Sequence, residues 1–135
     1  MRRVALLGLL AVVAAACGSP STLSEHSLGK EAEAVQSTAA EGAMLAAQIA
    51  SGSTTEAFAR IHSGELAEQA KATRKVLRHA RAPGLESDRR QAAATAESVQ
   101  RALEDLHAAP DDRALARRIQ HELIGDAAAA AKLAG

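Results

Sequence analysis

Apolar positions return at helical intervals along most of the chain, and the first regular stretch runs from about residue 27 to residue 51. Its inward positions alternate in spacing between four and three residues, which is the heptad pattern of helices that pack along a common seam. These positions are Leu28, Ala32, Val35, Ala39, Gly42, Ala46 and Ile49. Because most of these side chains are small, we expect neighbouring helices to approach this one closely.

A second helix is expected over residues 53–82. Ser53 and Glu56 have the spacing of a capping box, in which a serine oxygen accepts a free backbone N–H and a glutamate reaches back. Pro83 then stops the helix. At about 100° per residue one broad face is apolar, with His62 in its middle. The members of this face are Phe58, Ile61, Leu66, Thr73, Val76, Leu77 and Ala80.

The third and fourth helices are expected over residues 86–109 and 111–134. The third has the most regular heptad spacing of all, in the positions Leu85, Arg89, Ala92, Ala96, Val99, Leu103 and Leu106. The fourth opens at Asp111 or Asp112, either of which can cap it and complement its dipole. Its inward positions are Leu115, Ile119, Glu122 or Leu123, Asp126, Ala130 and Leu133.

The connections between these helices are only a few residues long, and short connections make consecutive helices antiparallel. The sequence therefore predicts an all-α domain over residues 27–135, an antiparallel four-helix bundle with up-down-up-down topology. Few large apolar side chains are present for its core, and a thin core gains from association. Pairing of helix hairpins between two copies of the chain is compatible with the same pattern.

The first residues have the layout of an export signal: Arg2 and Arg3 precede an apolar run over residues 4–16. This run of 13 residues is shorter than the roughly 20 that span a membrane. The stretch Val13-Ala14-Ala15-Ala16-Cys17 resembles the lipobox of bacterial lipoproteins, although that family prefers leucine where Ala14 stands. The resemblance implies a signal peptide over residues 1–16 and a diacylglyceryl lipid on Cys17, followed by a tether over residues 17–26. An ordinary signal peptidase cutting after Ala16 is the alternative.

Removal of Arg2 and Arg3 leaves 14 of the 16 basic residues, against 16 acidic ones. This near-neutral balance gives no reason to expect a nucleic-acid partner. The chain contains 35 alanines, one aromatic residue other than histidine, Phe58, and neither tyrosine nor tryptophan. Stacking on nucleic-acid bases therefore has almost no side chain to support it.

Two pairs of residues, His62 with Glu65 and Glu104 with His107, are each three apart and reach similar heights on the second and third helices. They are similar to the Glu-x-x-His pairs that hold two metal ions in ferritin-like bundles. A metal site is therefore one interpretation of these four residues. The other is that they are solvated polar residues, because the order of the first pair is reversed and the fourth helix offers no carboxylate at that height.

Arg89 and Asp126 occupy inward positions of the third and fourth helices at nearby heights, which predicts a partly buried ion pair that fixes the register of these helices. A small anion or ligand pocket is the alternative for the same two residues. A separate basic group, Arg74, Arg78 and Arg81, lies near the second connection, which the topology brings back to the anchored end. These charges are expected either to face anionic lipid headgroups or to complement the dipole of the second helix.

No enzyme signature is found. Cys17 is the only cysteine and is assigned to the anchor, whereas Ser63 and His62 are adjacent in sequence and so point about 100° apart on a helix. We therefore expect a non-enzymatic protein, with no cofactor beyond the covalent lipid.

Ala40-Glu41-Gly42 and Phe58-Ala59, in an alanine-rich domain behind a lipobox, resemble the small helical-bundle lipoproteins of high-GC bacteria. A weaker similarity, confined to the first two helices, is to ferritin-like periplasmic proteins of unknown function. The acidic residue and histidine that follow Phe-Ala in that group are absent here at the expected spacing.

The expected function is that of an envelope lipoprotein, anchored by its lipid at the extracytoplasmic face of the cell membrane. Its bundle is expected to act as a binding or spacer module, with an envelope protein or a second copy of the chain as partner. The alternative function is a ferritin-like bundle that binds a metal or a small ligand.

Overall fold

Four α-helices form the protein in a computed structural model that describes residues 20–135. They are α1 (Glu25–Ser51), α2 (Glu56–His79), α3 (Glu86–Ala108) and α4 (Arg113–Ala134). Within the described residues there is no β-strand, and consecutive helices are joined by short connections. The predicted all-α, antiparallel four-helix bundle is confirmed. The predicted signal peptide and Cys17 lie outside the described residues.

The helices begin and end where short polar side chains or glycine satisfy the free backbone groups. Ser24 caps α1 in a reciprocal capping box with Ser27, and Asp112 caps α4 by accepting the backbone N–H of Leu115 at 2.9 Å. Gly52 ends α1 in the left-handed conformation, with φ of 71°, which glycine adopts without steric cost.

The predicted start of α2 at Ser53 is wrong by a few residues. Thr55 is the N-cap, because its hydroxyl accepts the backbone N–H of Phe58 at 3.2 Å. The Ser53 hydroxyl instead lies 2.6 Å from that of Ser51 and bonds to the last turn of α1. Ser53, Thr54 and Thr55 all carry a hydroxyl group that could cap the helix, and the cap is formed by Thr55, which directly precedes Glu56.

The four helices form two closely packed pairs, α1 with α4 and α2 with α3. Across the middle α1 also contacts α3, whereas within residues 20–135 α2 and α4 do not meet. The cross-section is therefore a rhombus with α1 and α3 on its short diagonal. Gly42 permits this approach: a Cβ atom there would lie 2.8 Å from a methyl group of Leu103 and 3.0 Å from one of Leu123.

The predicted seam of α1 is confirmed at every position, since each of its members from Leu28 to Ile49 is buried. In α3 the positions from Ala92 to Leu106 are buried too, while Leu85 and Arg89 at its beginning are half-buried. α4 follows its prediction less closely. Ile119, Leu123 and Ala130 are buried, but Glu122 is exposed.

The predicted inner face of α2 is wrong for three of its large members, whereas Leu66, Leu77 and Ala80 are buried as predicted. Phe58, Ile61 and Val76 are 51%, 63% and 40% exposed. The residues that α2 does bury are mostly small, and they are Ala59, Ser63, Leu66, Ala67, Ala70 and Leu77. α2 is therefore rotated relative to the predicted face, so that small side chains meet the alanine-rich surface of α3.

The segment before α1 is attached to the far end of α2 rather than free. Thr22 and Arg81 form an isolated parallel β-bridge, in which the N–H of Leu23 donates to the carbonyl of Arg81 at 2.7 Å. The N–H of Arg81 donates in turn to the carbonyl of Ser21 at 2.9 Å, and the Leu23 side chain is buried. We call this the proximal end of the bundle, and the opposite end the distal end.

Candidate binding surface

Large apolar side chains gather on the outside of the distal half of the bundle. Met44 on α1 is 66% exposed and Ile124 on α4 is 52% exposed. Phe58, at the start of α2, lines a hollow together with Met44, and Ile61 is exposed almost one turn further along α2. α1 packs between α4 and α2, and we call the outer surface of these three helices in the distal half the distal apolar face. Apolar groups concentrated in this way are typical of an interaction surface.

A groove of about 320 Å³ runs between α1 and α4 on this face. Small side chains form its floor and larger ones its rims. The lining residues are Ala40, Ala43, Met44, Ala47, Gln120, Ile124 and Ala127. None of them is charged, so the groove offers an apolar ligand almost nothing but hydrocarbon contact.

A smaller hollow of about 150 Å³ lies on the other side of Met44, between α1 and α2. Phe58 stacks obliquely on His62, with ring centroids 5.3 Å apart. His62 Nε2 lies 3.0 Å from a carboxylate oxygen of Glu41, and Nδ1 lies 3.6 Å from one of Glu65. The imidazole, which is one quarter exposed, therefore joins α2 to α1 and holds the Phe58 ring at the surface.

The two edges of the distal apolar face carry opposite charge. Along the α4 edge the exposed Arg117 and His121 lie near Ile124. The acidic residues of α4, among them Asp126, are turned towards α3 instead. Along the α2 edge the exposed residues below Phe58 include Glu65 and Glu68, and the carboxylate of Glu68 lies 3.3 Å from the ammonium of Lys71. The face thus carries the Arg117 guanidinium on its α4 edge and two carboxylates on its α2 edge, and Glu41 is the acidic side chain beside Met44 between them.

The predicted metal residues do not come together. His62 is directed to Glu41 on α1, whereas His107 lies against Gly64 and its Nδ1 is 2.8 Å from the backbone carbonyl oxygen of Arg60. Glu104 accepts a hydrogen bond from Gln100 on its own helix at 2.6 Å. Within residues 20–135 no three histidine, cysteine or carboxylate side chains are placed to hold a metal ion. Although the two pairs share a height, they point to different neighbours.

The predicted ion pair between Arg89 and Asp126 is not formed. Arg89 Nε lies 2.9 Å from a carboxylate oxygen of Glu86, and its guanidinium donates to the carbonyl of Leu77 at 2.7 Å. The Arg89 side chain therefore satisfies the C-terminal end of α2. It also holds the pKa of the Glu86 carboxyl below its ordinary value, together with the N–H of Ala82.

Asp126 lies too far along the bundle for Arg89 to reach. It faces Ser98, which is about 13 Å beyond Arg89 at the rise of an α-helix. Burial raises the pKa of the Asp126 carboxyl. The nearby Ser98 hydroxyl, which donates to Glu122 at 3.4 Å, opposes this rise, and the charge of Glu122 adds to it. The Oδ2 atom of Asp126 is buried without a hydrogen-bond partner in the described part of the chain.

The basic group at the second connection is partly neutralised by α3. Arg78 lies 2.6 Å and Arg74 4.0 Å from the carboxylate of Glu97. Arg81 differs, since it is exposed and its backbone is bridged to the segment that follows Cys17. Two cations thus share one carboxylate, and Arg81 stands at the proximal end itself.

Comparison of the chain with known protein families, with curated proteins and with solved structures finds no match. Among residues 20–135 no helix combines the length and the apolarity that crossing a membrane requires.

Sequence reasoning missed the distal apolar face because it assigned Phe58 and Ile61 to the core. The sequence nevertheless contains an indication of this face. Met44 and Ile124 are large apolar residues that fall outside the heptad seams of their helices, and such residues have no place in the core that those seams define.

Proposed function

We propose that this chain is an exported lipoprotein, anchored through acylated Cys17 at the extracytoplasmic face of the cell membrane, and that its bundle is a non-enzymatic binding module. The observation that carries the binding role is the distal apolar face. A small protein with few large apolar residues leaves four of them half exposed or more in its distal half, although complete burial of an exposed side chain of this kind stabilises a fold by about 1.5–3 kcal/mol.

The attachment of the N-terminal segment supports the same proposal. Ser21 and Leu23 are held by backbone hydrogen bonds to Arg81, only a few residues after Cys17. A lipid on Cys17 would therefore keep the proximal end against the bilayer. The distal apolar face begins about two thirds of the way along α1, with Met44 about 28 Å from the start of that helix. The face would then be presented well above the headgroups.

Acylation is tested in the full-length chain expressed in a bacterial host and labelled with a clickable palmitate analogue. We expect label on the mature protein, an N-terminus at Cys17 by mass spectrometry, and recovery in the membrane fraction. Cys17→Ser abolishes all three. The matched control combines Cys17→Ser with Ser19→Cys, which retains one cysteine outside the motif and is expected to stay unlabelled. An unacylated wild-type N-terminus refutes the anchor.

Contact of the proximal end with lipid is tested by vesicle binding of the Cys17→Ser chain, which carries no acyl group. We expect weak binding to vesicles with anionic lipid that Arg81→Glu reduces, because about 1 kcal/mol is lost for each basic residue near such a surface. Arg118→Glu, the same change at the distal end, serves as the control. Equal binding of the two variants contradicts the assignment of Arg81 to the membrane side.

A further inference from the structure

The distal apolar face has the charge pattern of a surface that fits a second copy of itself. Its α4 edge carries the cation of Arg117, and its α2 edge carries the carboxylates of Glu65 and Glu68, of which Glu68 is paired with Lys71. When two copies meet face to face with their helices parallel, the α4 edge of each lies opposite the α2 edge of the other. Opposite charges then meet on both sides. In an antiparallel pair each edge would lie opposite the same edge of the partner, so that like charges would meet.

We propose that two copies of the chain associate in parallel through their distal apolar faces, with α1 at the centre of the interface. This inference depends on the proposed function in one respect, because parallel copies place both anchors at the same end, as one membrane requires. Such an interface is isologous, which means that both copies use the same surface patch and that every contact occurs twice.

The heights of the apolar groups along the bundle agree with this arrangement. The contact between Glu41 and His62 sets the register of α1 and α2, so that Phe58, one turn before His62, stands beside Leu45. The groove between α1 and α4 is lined by α1 residues from Ala40 to Ala47, and its centre is therefore at the same height. A twofold axis parallel to the helices leaves heights unchanged, and it carries the partner's Phe58 across to this groove.

The groove is large enough for that ring. Its volume is about 320 Å³, whereas a cavity of about 150 Å³ holds a benzene molecule. Phe58 is the only phenylalanine of the chain, it is half exposed, and the imidazole of His62 supports its ring. Each copy thus supplies one aromatic side chain and one apolar groove, and the dimer contains two identical insertions.

The orientation is tested by cysteine crosslinking of the full-length chain in membranes. Ser37 and Gln48 both lie on the outer stripe of α1 and are exposed, about 16 Å apart along the helix. We expect Ser37→Cys and Gln48→Cys each to crosslink to its own copy with a short bis-maleimide. An antiparallel pair brings at most one of the two positions to its own copy. Wild type, whose only cysteine is Cys17, gives the background, and no crosslink at either position overturns the proposal.

The insertion of Phe58 is tested in the same crosslinking background and by sedimentation of the Cys17→Ser chain. We expect Phe58→Ala to weaken the dimer at least about tenfold, as loss of an aromatic anchor does. Ala40→Leu, which fills the groove, is expected to act in the same direction. Val76→Ala, which removes an exposed apolar side chain from the proximal half of α2, is the matched control. Unchanged association of Phe58→Ala, with its helix content intact by circular dichroism, overturns the insertion.

The edge charges provide an independent test. Arg117→Glu with His121→Glu makes both edges acidic, and Glu65→Lys with Glu68→Lys makes both basic. Each double variant alone is expected to associate more weakly than wild type, and an equal mixture is expected to regain a dimer. Homodimers of both variants as strong as wild type contradict the parallel arrangement. Loss of acyl label with normal crosslinking, in contrast, refutes the anchor and leaves the dimer standing.

Discussion

α1 and α2 come from the same alanine-rich chain and lie side by side, yet they relate to the core in opposite ways. In α1 the heptad positions are the buried ones, from Leu28 to Ile49. In α2 three of the large apolar residues are exposed, and the buried face is built mainly from alanine and Ser63. Side-chain size alone therefore does not identify the inner face of α2. Helices that touch closely need small residues where they touch.

Truncation of one large residue on each face of α2 tests which face of this helix is buried. Leu66 is fully buried, whereas Ile61 is 63% exposed. We expect Leu66→Ala to lower the free energy of unfolding by about 2–5 kcal/mol, because it leaves a cavity. Ile61→Ala is expected to change it by no more than about 0.5 kcal/mol. Urea denaturation followed by circular dichroism measures both, and equal losses would mean that α2 is oriented as its pattern of large residues predicts.

The close approach at the seam of α1 is tested by adding a single carbon atom. Gly42→Ala places a Cβ 2.8 Å from a side-chain methyl of Leu103, and we expect a loss of about 1–3 kcal/mol from overpacking. Gly125→Ala on α4 is the matched control, because its Cβ meets no atom within 4 Å. That change is expected to gain about 0.5–1 kcal/mol of helix stability. The two substitutions should thus shift the melting temperature in opposite directions, and a gain at Gly42 would refute the close approach.

α4 buries part of its predicted inner face, and one of its predicted inward positions holds the carboxyl group of Asp126. The pKa of Asp126 is raised by burial, so its contribution to stability is present below its ordinary pKa and is lost as pH rises through the folded-state value. We therefore expect Asp126→Asn to be more stable than wild type at neutral pH. The difference should disappear near pH 3, where both forms are neutral. Thermal melts across this range check the prediction, and a loss of stability at pH 7 contradicts it.

The smallest effect is expected at Ser63, the polar residue inside the α2 face. Its hydroxyl donates to the carbonyl oxygens of Ala59 at 2.7 Å and of Arg60 at 3.1 Å, so the hydrogen bond is satisfied within the helix. Ser63→Ala removes the donor without enlarging the side chain, and we expect a change within about 0.5 kcal/mol. A loss of more than about 2 kcal/mol in the free energy of unfolding would show that the hydroxyl group itself stabilises the fold.

The candidate site was much less predictable than the fold. Periodicity placed His62 and His107 at one height, and each of them does lie at an interface between helices. What periodicity lacks is the angle by which each helix is turned about its own axis. That angle directs His62 to Glu41 and His107 to the carbonyl of Arg60. Arg89 fails to reach Asp126 for a different reason, because the two residues lie too far apart along the bundle axis.

By itself, the sequence determined that four helices form, where they end to within a few residues, and which faces of α1 and α3 are buried. These properties follow from local spacing, capping side chains and turn residues, which act within a few positions of the chain. Only the tertiary structure decided the rotation of α2, the bridge between Thr22 and Arg81, and the exposure of Phe58 beside Met44. Those features depend on how closely whole helices approach one another, and that distance is set by many small side chains acting together.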